Sequence, residues 1–86
     1  MHTVEMLDQA TDLAVRLGYA IRRECLAGCG GASCELKGQK LLFLDLDFGP
    51  REQLEQVIGA LRREPDAVGL PMPSELRELL TLRNVA

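Results

Sequence analysis

The chain has few aromatic residues: its 86 residues include no tryptophan, one tyrosine and two phenylalanines. Proteins that bind single-stranded nucleic acid stack successive bases on aromatic rings, so this class is disfavoured. The same shortage leaves the core to aliphatic side chains. Hydrophobic residues nevertheless make up 47% of the chain and charged residues 27%, a composition typical of a folded globular domain.

An excess of positive charge and long apolar runs are also missing. Ten basic and thirteen acidic residues give a formal net charge of -3, whereas nucleic acids and anionic membranes are bound by clustered Lys and Arg. The longest apolar run, residues 41–44, is far shorter than the roughly 20 residues that cross a bilayer. The first ten residues also lack a signal-peptide pattern. We therefore expect no nucleic-acid partner, no membrane association and a cytoplasmic location.

Histidine is nearly absent, since His2 is the single imidazole of the chain. It lies too close to the first residue, where chains fray, to serve as the base of a Ser-His-Asp or Cys-His arrangement. The sequence thus predicts a protein without catalytic residues. Three cysteines are an odd number, which favours reduced thiols over a disulfide framework.

Hydrophobic periodicity of 3.6 and of 2 residues, interrupted by Gly and Pro, predicts one small α+β domain spanning residues 1–86. Its predicted elements are an N-terminal helix (3–17), a three-stranded antiparallel meander (19–26, 33–37 and 40–48), a long helix (51–64) and a short C-terminal helix (74–80). Both C-terminal helices are expected to pack on one sheet face. Gly18 is the expected left-handed stop of the first helix.

The third predicted strand has one wholly apolar face, and its other face is half apolar and half acidic. Alternation places Leu42 and Leu44 toward the helices and directs Leu41, Phe43 and Asp45 to the opposite face. Exposed apolar residues on a sheet face indicate a partner, so Leu41, Phe43 and Asp45 are predicted to bind a protein partner or a second copy of the chain. The alternative is that residues 67–86 cover this face.

The region between the first two strands is rich in glycine and cysteine. Gly28, Gly30 and Gly31 with Cys34 form a candidate loop for a small ligand, because such backbone can cradle an anion. Cys25, Cys29 and Cys34 with His2 could satisfy tetrahedral zinc, but their Cys-x3-Cys-x4-Cys spacing is not that of paired zinc knuckles. We predict no metal and no cofactor, with Cys25 and Cys34 as neighbouring buried thiols. Asp45 and Asp47 are expected to face solvent at the strand end.

Residues 17–61 resemble a family of short bacterial proteins to which no activity is assigned. The resemblance covers about half of the chain, and its motifs are Leu17-Gly18-Tyr19, Gly28-x-Gly30-Gly31-x-x-Cys34, Gly38-x-Lys40, Leu42-Phe43-Leu44-Asp45-Leu46, Pro50 and Glu52-Gln53-Leu54. It implies a self-contained domain and supplies no mechanism. Cys25, Cys29 and Asp47 lie outside these motifs.

Two functions from different classes follow. The first is a non-catalytic protein-interaction or homo-oligomerisation module that uses the face of Leu41 and Phe43. The second is a small-ligand or metal-binding regulatory protein that uses the glycine loop and the three cysteines.

Overall fold

The computed structural model describes residues 2–28 and 33–81, and it confirms the α+β class within them. The elements follow the predicted order, with shorter strands. They are α1 (Thr3–Arg16), β1 (Tyr19–Glu24), β2 (Ser33–Leu36), β3 (Gln39–Asp45), α2 (Pro50–Leu61), a 3-10 turn (Ala67–Gly69) and α3 (Ser74–Thr81).

The sheet is mixed, and the predicted antiparallel meander is wrong. Its strand order is β1-β3-β2, with β1 parallel and β2 antiparallel to β3. β1 ends at Glu24 and β2 begins at Ser33, so the residues between them are too many for a tight hairpin. β3 holds the apolar run 41–44, which is typical of a strand with neighbours on both sides. The charged strands β1 and β2 flank it.

Two tight reversals use the left-handed backbone region. Gly18 has a φ of +97° and ends α1 as predicted. Between β2 and β3, Lys37 and Gly38 have φ values of +52° and +79°, the pair of positive values that a type I′ hairpin requires. The turn is therefore Lys37-Gly38, one residue earlier than the predicted Gly38-Gln39.

The core lies on one side of the sheet. α1 and α2 pack against each other, α1 contacts β1 and α2 contacts β3. The side chains of Leu42 and Leu44 point into this layer and are 1% and 0% exposed. α3 packs on α1 and α2 through the buried Leu76 and Leu80.

Candidate functional site

The second face of the sheet carries apolar side chains from all three strands. Alternation along β3 separates Leu41 and Phe43 from the buried Leu42 and Leu44, and the strand register places Cys34 beside Leu41 and Arg22 beside Phe43. We call this surface the open face. It consists of Ala20, Arg22 and Glu24 on β1, Gln39, Leu41 and Phe43 on β3, and Cys34 and Leu36 on β2.

Exposure on the open face rises from the centre toward β2. Leu41 and Phe43 are half-buried, Cys34 is exposed, and Leu36 is 59% exposed, the highest value among the exposed large hydrophobic residues of the described chain. The predicted cover by residues 67–86 is not seen for residues 67–81, because Leu70 and Met72 pack against the core and α3 packs on α1 and α2. Residues 82–86 lie outside the described part.

Asp45 does not belong to this surface. It is 0% exposed, and its Oδ1 accepts hydrogen bonds from the backbone N–H groups of Leu26 at 3.0 Å and Asp47 at 2.9 Å. The predictions that Asp45 faces solvent and contacts a partner are therefore wrong. β3 ends at Asp45 while β1 has just ended beside it, so the carboxylate replaces the acceptors that the sheet no longer offers.

Asp47 makes a similar side-chain contact to the backbone, nearer to the protein surface. It is exposed, as predicted, and its Oδ2 accepts the N–H of Ala27 at 2.8 Å. Ala27 and Gly28 have φ values of +57° and +76°, a conformation that costs a residue with a Cβ some strain. The two aspartates thus hold the start of the glycine-rich connection.

The cysteines are not gathered into a site within the described residues. Cys25 and Cys34 are free and exposed. Cys25 follows the end of β1 and Cys34 belongs to β2, and β3 lies between these two strands. The prediction of neighbouring buried thiols is wrong, because the sheet order puts β1 and β2 on opposite sides of β3. Cys29, Gly30 and Gly31 lie outside the described residues. Within residues 2–28 and 33–81 no three His, Cys, Asp or Glu side chains could hold a metal ion.

A polar cluster that sequence reasoning missed joins the segment just after α2 to the sheet. Tyr19 and Lys40 are register partners on β1 and β3, and Lys40 Nζ lies 5.4 Å from the centre of the Tyr19 ring. Tyr19 donates a 2.8 Å hydrogen bond to Glu64 Oε1. Lys40 Nζ donates to both carboxylate oxygens of Glu64 at 3.1 and 3.2 Å.

The pKa shifts of Glu64 and Tyr19 keep each side chain in its ordinary protonation state. The hydrogen bond from Tyr19, followed by that from Lys40, holds the pKa of Glu64 below its usual value of 4.5. Burial and the hydrogen bond to Glu64 raise the pKa of Tyr19 above 10.0. At neutral pH Glu64 is ionised and Tyr19 is protonated, so neither group is poised for proton transfer.

Glu64→Gln is expected to lower the free energy of unfolding by about 1 kcal/mol at pH 7. Because the pKa of Glu64 is lowered on folding, its contribution is complete above its usual pKa and is lost as the pH falls through the folded value. Urea unfolding between pH 7 and pH 3 should therefore show the two proteins converging in acid. Glu55→Gln, at an exposed position in α2, controls for the loss of charge. A pH-independent difference for Glu64→Gln would contradict the expectation.

Two glutamines of α2 form a natural pair for a second stability test. Gln53 Nε2 donates to the carbonyl of Phe48 at 2.9 Å, whereas the buried Oε1 of Gln56 has no hydrogen-bond partner in the part of the chain described here. An unpaired buried polar atom costs roughly 1–3 kcal/mol. Gln56→Met should raise the midpoint of urea unfolding and Gln53→Met should lower it. A lower midpoint for both would show that Gln56 has a donor.

None of the described helices is long and apolar enough to cross a membrane. Comparison with models of protein families, with curated proteins and with solved structures finds no match to this chain.

Proposed function

We propose that this protein is a non-catalytic, cytoplasmic interaction module that forms a homodimer through the open face. The observation that carries the proposal is the placement of Leu36, Leu41 and Phe43 on the side of the sheet away from the helices. Contiguous apolar side chains on a surface favour burial against a partner. The core needs none of these three residues, because Leu42 and Leu44 supply the helix-facing side of β3.

A second copy of the chain suits this face electrostatically. Arg22 and Glu24 form an ion pair at 3.8 Å with side chains 62% and 51% exposed. The two charges cancel, so two copies can approach without net repulsion between these faces. A balanced polar margin beside an apolar centre is the usual organisation of a protein interface.

The size of the open face limits the affinity. Three strands spaced about 4.8 Å apart and about 3.3 Å of rise per residue give a footprint of roughly 15 by 20 Å. Stable complexes bury about 800 Å² on each partner, and the side chains on this footprint offer less. We therefore expect a reversible dimer with a dissociation constant in the micromolar range or weaker.

Phe43→Lys is expected to convert the dimer to monomer while leaving the fold intact, because it places a charge at the centre of the apolar set. Native mass spectrometry and sedimentation velocity over a concentration series measure the association, and circular dichroism measures the fold. Val68→Lys is the matched control, since Val68 is also exposed, at 52%, but lies outside the open face. A monomeric native protein at the highest attainable concentration would overturn the proposal, as would a dimer that Phe43→Lys leaves unchanged.

Thiol labelling provides a second readout of the same interface. Cys34 lies on the open face, whereas Cys25 follows the end of β1, and both are exposed in the single chain. With Cys29 and one of the other two cysteines changed to serine, each variant carries one reporter. Labelling of Cys34 should slow as the concentration rises, and labelling of Cys25 should not. Equal slowing of both thiols would contradict an interface centred on the open face.

The alternative function, small-ligand or metal binding by the glycine loop and the cysteines, stays a prediction. The same native mass spectrum tests it, since a bound metal adds mass that a chelator removes. A measured mass that shows no added metal and does not change with chelator counts against the metal form of that function.

A further inference from the structure

We draw no further inference here: the strongest candidate, the cavity that His2, Thr3, Pro50 and Arg51 line between the starts of α1 and α2, consists of two helix N-termini, and in the described residues no second observation points to a ligand there.

Discussion

Asp45→Ala is expected to lower the free energy of unfolding by roughly 2–6 kcal/mol, because two backbone N–H groups lose a buried acceptor and each unpaired group costs about 1–3 kcal/mol. The substitution leaves the N–H groups of Leu26 and Asp47 without the acceptor that now lies 3.0 and 2.9 Å away. A domain of this size has a total stability of about 5–10 kcal/mol. Urea unfolding followed by circular dichroism should therefore show a variant that is close to unfolded in buffer.

Two further variants separate the hydrogen bonds of Asp45 from its charge. Asp45→Asn keeps an oxygen that can accept the same N–H groups, so it should retain a large part of the stability that Asp45→Ala loses. Asp47→Ala removes one bond, to Ala27, from an exposed position and should cost about 1 kcal/mol. Equal effects of Asp45→Ala and Asp47→Ala would show that burial of Asp45 does not matter.

Leu44→Ala is expected to destabilise the protein by about 2–5 kcal/mol, because it opens a cavity in a small hydrophobic core. Leu44 is 0% exposed at the centre of the sheet and belongs to the same buried cluster as Val57 and Leu61. The measurement is again the midpoint and slope of urea unfolding. A loss of less than about 1 kcal/mol would contradict the burial of this residue.

Leu46→Ala is the informative control for Leu44→Ala. Strict alternation puts both leucines on the helix-facing side of β3, but the strand ends at Asp45 and Leu46 is 47% exposed. Leu46→Ala should therefore change stability by only about 0.5 kcal/mol. Equal losses at the two positions would indicate that the strand continues beyond Asp45.

Most of the elements could be predicted from the sequence. The stop of α1 at Gly18, the start of α2 after Gly49 and the existence of each strand follow from local signals that the backbone itself obeys. The apolar run 41–44 also contained the signal for a central strand. The tendency of strands that are neighbours along a chain to pair in order nevertheless predicts an edge position for this strand.

The candidate site was predictable only in part. Alternation separates Leu41 and Phe43 from Leu42 and Leu44 without tertiary information, because it is a property of the strand alone. The addition of Leu36 and Cys34 to that face required the β2-to-β3 register. The burial of Asp45 could not be predicted from its own strand. Its hydrogen-bond donors are the N–H groups of Leu26, which belongs to a different segment, and of Asp47, in the turn after β3.

The sequence by itself determined the α+β class, the order of the elements and the presence of apolar side chains on both faces of β3. These features follow from hydrophobic periodicity and turn residues, which are local signals along the chain. Tertiary structure alone decided the parallel pairing of β1 with β3, the separation of Cys25 from Cys34 and the burial of Asp45. Each of these depends on the strand order β1-β3-β2, because that order determines which groups from distant parts of the chain meet.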